Sequence, residues 1–147
     1  MKKILAIIFM AQSLLLFGMP DSLTVYIPSV VNKTDKPYKL RVYKTEYSIP
    51  AKQERRFLRF PIQFKKIAGI ASNASIQISD AHNNYIIRVD YVAQKGKNYV
   101  YASLMKNDTV LAKIERSSKE KVDKVDLYIT LDGENLNRST LKLKRKR

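Results

Sequence analysis

The sequence predicts an all-β fold: a single antiparallel β-sandwich, immunoglobulin-like, of about eight or nine short strands and preceded by a signal peptide. Three observations carry this. After residue 20, apolar residues recur with a period of two, and no window sustains an i, i+3, i+4, i+7 apolar pattern over three turns. Turn-forming residues separate these runs at short intervals. The chain has 147 residues, 45% hydrophobic and 28% charged, which suits one folded domain rather than a disordered chain.

The elements follow in order. Met1-Lys2-Lys3 is a basic start, Ile4 to Phe17 is an uncharged apolar run, and Gly18-Met19-Pro20 precedes the first acid, Asp21. That layout is a secretory leader, with cleavage expected after Gly18. The apolar run is shorter than the ~20 residues a spanning helix needs, so no transmembrane segment is expected after cleavage. An uncleaved anchor and a buried N-terminal helix are the competing readings. The domains are therefore a signal peptide over 1–18, a β-sandwich over 19–140 and a basic C-terminal tail over 141–147. The location expected is secreted or periplasmic, in a bacterium. With no cysteine the exported domain has no disulfide and rests on its core alone.

Leu23, Val25 and Ile27 alternate with Thr24, Tyr26 and Pro28, and Tyr38, Leu40 and Val42 alternate with Lys39, Arg41 and Tyr43. The same rhythm holds at Ala74, Ile76 and Ile78, at Ile87, Val89 and Tyr91, and at Val100, Ala102 and Leu104. A strand is expected over 109–115. Val125, Leu127, Ile129 and Leu131 form the longest such set, and Leu141 and Leu143 alternate with Lys142 and Lys144. Alternation of this kind puts one face on a core and one in water. Turns are expected at Asn32–Pro37, Pro50-Ala51, Asp80–Asn84, Lys95-Gly96 and Lys106–Asp108, with Asp132-Gly133 as a hairpin signal. Pro28 and Pro61 lack an amide donor and mark edges or strand ends. Ser117 to Val122 forms one helical turn at most.

The run from Val31 to Phe64 places Asn32, Pro37-Tyr38, an alternating strand and Phe57-Leu58-Arg59-Phe60-Pro61 in order. In this it is similar to the immunoglobulin-like first domain of periplasmic pilus chaperones. The resemblance spans about a quarter of the chain and implies a sandwich. Those chaperones have a second domain for which this length leaves no room, and no functional residue is carried over from them.

The chemistry is sparse. With no cysteine and one histidine, thiol chemistry, Cys-based zinc sites and two-histidine metal clusters are excluded. His82 lies in Asp80-Ala81-His82-Asn83-Asn84, which reads as a polar turn rather than a ligand set. No serine has a nucleophile-elbow context, and the four glycines make no phosphate loop. The acids Glu115, Glu120, Asp123, Asp126, Asp132 and Glu134 interleave with lysines and read as solvated charge, although paired acids could serve a cofactor-free hydrolase. No enzyme, cofactor or metal is expected. Asn32, Asn73, Asn107 and Asn137 each begin an Asn-x-Ser/Thr sequon, unmodified in a bacterial host.

Charge is the functional clue. The chain carries 28 Lys+Arg against 13 Asp+Glu, a net of +15. Residues 33–66 hold eleven basic and three acidic side chains, and residues 137–147 hold six basic and no acidic ones. Lys39 and Arg41 share the outer face of one strand, and Arg55, Arg56 and Arg59 lie on the next. If those strands are neighbours, they form one basic surface, extended by Lys144, Arg145, Lys146 and Arg147 of the tail. Tyr26, Tyr43, Tyr47 and Tyr128 are the aromatics expected nearby. The partner expected is an anionic envelope component, such as a phospholipid headgroup or lipopolysaccharide, or a protein. A leader that sends the chain out of the cytoplasm disfavours nucleic acid. Two alternatives stay open: charge that serves solubility alone, and an edge strand that pairs with a partner's strand. Ligand and oligomeric state are not specified by the sequence.

Overall fold

A computed structural model describes residues 22–57, 61–65, 72–94, 97–118 and 124–145. Twelve strands are formed among them: β1 (Ser22–Tyr26), β2 (Ser29–Asn32), β3 (Tyr38–Val42), β4 (Thr45–Ile49), β5 (Gln53–Arg56), β6 (Pro61–Lys65), β7 (Ser72–Ser79), β8 (Asn84–Gln94), β9 (Lys97–Lys106), β10 (Thr109–Ser118), β11 (Lys124–Leu131) and β12 (Thr140–Arg145). No helix among the described residues is long and apolar enough to cross a membrane. The leader, the Lys95-Gly96 turn, Arg59, Lys146 and Arg147 lie outside the described residues.

Two six-stranded sheets result. One is antiparallel throughout, in the order β10-β9-β8-β7-β3-β4. The other is mixed. In it β11 is central, with β12 antiparallel along one edge and β1 and β2 end to end, both parallel, along the other. β6 and β5 complete this sheet, antiparallel to β1 and β2. The expected all-antiparallel arrangement is corrected here. Parallel strands need a long crossover, and the stretch from β2 to β11 contains the whole antiparallel sheet together with β5 and β6. A period of two is the same for either pairing, so alternation alone does not reveal it.

The strand number also exceeds the expectation, for two reasons. Residues 22–32 form one extended stretch broken at Pro28, whose missing amide interrupts the ladder to β11. Residues 53–56 and 61–65 are likewise two strands, and the Phe57 amide just past β5 bonds the Pro28 carbonyl at 2.9 Å. In addition β4 (TEYSI) buries Ile49 but leaves Thr45, Glu46 and Ser48 exposed, so it shows no alternation.

The two sheets share one core. Val25, Ile27 and Val30 from β1, β2 and the link between them, and Val125, Leu127, Ile129 and Leu131 from β11, meet Leu40, Ile76, Ile78, Ile87, Val89 and Leu104 of the other sheet. β12 contributes Leu141 and Leu143, so the basic segment is built into the sheet as far as Arg145.

Turns gather at one end. The β2–β3, β4–β5, β7–β8, β9–β10 and β11–β12 connections all lie there, because β2, β4, β7, β9 and β11 all run toward it. In the β7–β8 turn, Asp80 Oδ1 accepts the amides of His82 (2.8 Å) and Asn83 (2.7 Å), the polar turn expected. Burial raises the Asp80 carboxyl, but those amides, the Asn83 side chain and the Lys36 charge together hold it below its ordinary value. Beyond Asp132-Gly133 the chain makes no two-residue hairpin. It takes a longer path through a 3-10 turn at Glu134–Leu136 that sinks Leu136 into the core.

Under this end Tyr38 and Tyr85 are both buried, ring centroids 6.3 Å apart and edge to face. The Tyr85 hydroxyl has no hydrogen-bond partner. Burial first, then the charges of Tyr38 and Asp80, push it up to about 12. An unfolded tyrosine ionises near pH 10. Tyr85 therefore contributes stability that is fully present below pH ~10 and is lost as the pH rises through about 12. Denaturant unfolding at stepped pH is expected to show that fall. Tyr85→Phe is expected to flatten it and to leave stability at pH 7 unchanged or higher, since no bond is lost. An unaltered slope in the variant would contradict this account.

Candidate functional site

The mixed sheet's outer face is built from cross-strand rows. Arg56 pairs with Ser29 of β2, and the β2–β11 register puts Ser29 level with Tyr128, which pairs with Lys142. The next row is Tyr26, Asp126 and Lys144, and beyond it Thr24 pairs with Lys124. In the opposite direction Glu54, Val31, Thr130 and Thr140 form a row. Adjacent strands lie ~4.8 Å apart, so Arg56 and Lys142 stand roughly 14 Å apart on one surface. The Lys144 ammonium sits 5.5 Å from the Tyr128 ring centroid, a cation–π contact that holds its aliphatic stem along the ring. Among the described residues this face presents Arg56, Lys124, Lys142 and Lys144 against Glu54 and Asp126, with Tyr26 and Tyr128 half-buried between them. Arg56 Nε lies 3.4 Å from Glu54 Oε1.

The other expected site residues go elsewhere. Lys39 and Arg41 are exposed on the outer face of the antiparallel sheet, on the far side of the core. Their cross-strand neighbours are Ser48 and Ser79 for Lys39, and Glu46 and Gln77 for Arg41. β3 and β5 are not neighbours, because the chain crosses from one sheet to the other at Pro50–Lys52. The single basic surface expected across them does not form. Arg55 turns to the inner side of its strand, since it pairs with the buried Val30. There its guanidinium lies 5.3 Å from the Tyr47 ring centroid and 5.6 Å from that of Phe57, and it donates to the Ser48 carbonyl at 3.0 Å. Arg55 thus clips β5 to β4 across the seam between the sheets. Tyr47 is consumed by that clip, and Tyr43 projects from the β3–β4 turn. Arg145 is exposed and pairs with Val125 of β11. Arg59, Lys146 and Arg147 lie outside the described residues.

Sequence reasoning missed two things. Lys124 and Lys142 belong to the basic face, and the β1–β11 and β11–β12 registers put them on the same surface as Arg56. The second is Asn32, taken for an ordinary turn residue but 1% exposed. Its Nδ2 donates to the carbonyls of Lys36 (2.7 Å), Ile49 (3.3 Å) and Pro50 (3.2 Å). Its Oδ1 accepts from the Thr34 amide (3.0 Å) and hydroxyl (2.7 Å).

Two of the sheet edges are guarded. β10 carries a bulge between Val110 and Ala112 together with Lys113, Glu115 and Arg116, and β12 carries Lys142, Lys144 and Arg145. Bulges and charges of this kind deter strand addition.

No protein-family model matches the chain, and no curated protein or solved structure matches it.

Proposed function

We propose that the protein is an exported binding module that docks an anionic envelope component on the outer face of its mixed sheet. The observation that carries this is the arrangement of Arg56, Lys124, Lys142 and Lys144 around Tyr26 and Tyr128 on one surface. Strands fix the spacing of these cations, so little order has to be imposed on binding. Each Lys or Arg near an anionic lipid surface contributes ~1 kcal/mol. Export rests on the leader of residues 1–18, and the location proposed is secreted or periplasmic. Two sheets around one core support a single immunoglobulin-like sandwich as the finer description of the fold. Because the β10 and β12 edges are guarded, recognition by the face is favoured over a partner's strand pairing there.

The test is charge reversal. Lys142→Glu combined with Lys144→Glu is expected to cost roughly 4 kcal/mol of binding to phosphatidylglycerol vesicles at low salt, which abolishes retention. Lys39→Glu with Arg41→Glu, on the opposite face, is expected to leave retention intact. Equal loss in both pairs would show a diffuse net-charge effect and overturn the proposal, as would vesicle binding that ignores salt.

A further inference from the structure

A cleft of ≈ 350 Å³ opens at the turn-bearing end, between the β2–β3 and β11–β12 connections, with Tyr38 in its lining. Its size falls within the range of small-molecule sites. The cleft is a different region from the basic sheet face.

Backbone strain concentrates around it. Two-residue hairpin loops require a positive φ at their first position, which accounts for Tyr43 (53°) and Asn107 (53°). The remaining positive values are at Lys52 (59°), Gly133 (83°), Asn135 (50°) and Leu136 (60°). Lys52, Gly133 and Asn135 line the cleft, and Leu136 follows directly. Left-handed backbone at a leucine or a lysine persists only where the surroundings impose it. Here they do. Asn32 fixes the 33–36 wall, and the Lys33 amide bonds the Leu131 carbonyl at 2.8 Å. On the opposite wall Ser139 Oγ accepts the Asp132 amide at 3.1 Å, and the Arg138 amide bonds the Asp132 carbonyl at 3.0 Å. The cleft is therefore preorganised rather than a gap between loose loops.

Its chemistry is mixed. Lys52 is committed to the wall, with Nζ on the Lys33 carbonyl at 2.8 Å and 3.4 Å from Asp35. Asp132 Oδ1 accepts the Gly133 amide at 2.8 Å. Lys33, Lys36 and Arg138 also line the cleft, and none of them forms a salt bridge with a described residue. Glu134 and the second Asp132 oxygen line it too, with Thr34 and Asn135 as neutral polar groups. A bare anion would satisfy the cations but face the two carboxylates. A neutral sugar would do the reverse. A ligand with one carboxylate and several hydroxyls satisfies both sets.

We infer that this cleft binds an acidic saccharide unit, its carboxylate held by Arg138 and Lys33 and its hydroxyls donating to Asp132 and Glu134. The test follows backbone amide NMR shifts of the full chain on titration with galacturonate oligomers. Saturable shifts confined to 33–36 and 132–138 are expected. Arg138→Gln is expected to weaken binding by at least about tenfold, the size of one charge-assisted hydrogen bond. Arg138 is exposed, so that variant should fold. Lys142→Glu with Lys144→Glu, which disables the sheet face, is expected to leave these shifts unchanged, so that each site can fail alone. Equal binding of glucose, of inorganic phosphate or of a free amino acid would overturn the ligand assignment. Shifts absent from these loops would overturn the site.

Discussion

Replacing Asn32 with alanine is expected to lower the unfolding free energy by about 3–5 kcal/mol, because it strips buried carbonyls of their donor. This one amide nitrogen donates to the adjacent Ile49 and Pro50 carbonyls and to that of Lys36, and so ties together two separate points of the chain. The bond to the Ile49 carbonyl is buried, so there the cost is that of an unsatisfied acceptor rather than of a hydrogen bond exchanged with solvent. Asn32→Asp keeps the acceptor for Thr34 but sets a carboxylate against three carbonyl oxygens, and it should be no better tolerated. Thr34→Ala removes only the hydroxyl contacts and should cost about 1 kcal/mol. Urea unfolding of the three variants checks the ranking. A loss below about 1 kcal/mol for Asn32→Ala would mean that the three carbonyls find water, and that the cleft wall does not depend on this residue.

Gly133→Ala is expected to cost roughly 2–4 kcal/mol and to disrupt the cleft. Gly133 has φ 83° and ψ 170°, a region that is open essentially to glycine alone. A Cβ there would also meet the Asn137 side-chain oxygen and lie 2.8 Å from the Arg138 backbone nitrogen. The first of these can rotate away; the second is held by its bond to the Asp132 carbonyl. The wall carrying Asp132, Glu134 and Arg138 must then shift as a unit. The expected signature is a lower unfolding midpoint together with amide shifts over 132–139 and none along β7 or β8. A variant as stable as the parent, with those amides unmoved, would show that the turn has another accessible path.

Much of the fold was legible because burial alternates with strict period two. Tyr38, Leu40 and Val42, the Ile87–Tyr91 set and the Val125–Leu131 set all point inward as expected. The parallel pairing of β1 and β2 with β11 was not legible, since it depends on which ends meet across a hundred intervening residues. The site was legible only in kind. Basic residues dense in sequence, Lys39, Arg41, Arg55 and Arg56, are separated by the crossover at Pro50–Lys52 and by opposite facing of consecutive strand residues. Those that do share a face, Arg56, Lys142 and Lys144, are far apart in sequence and meet through register. Asn32 sits in a segment of ordinary turn composition, and nothing local distinguishes a buried amide from a solvated one.

The seating of β1 and β2 between β11 and the β5–β6 stretch also sets the order of events during synthesis. The mixed sheet has no partner for the inner edge of its first two strands until residues 124–131 have emerged from the ribosome. Most of the antiparallel sheet, from β7 to β10, is made of sequential antiparallel neighbours that need no such wait. Closure of the mixed sheet is thus a non-local step that must pay the entropy of a loop of about a hundred residues, whereas the hairpins of the other sheet close locally.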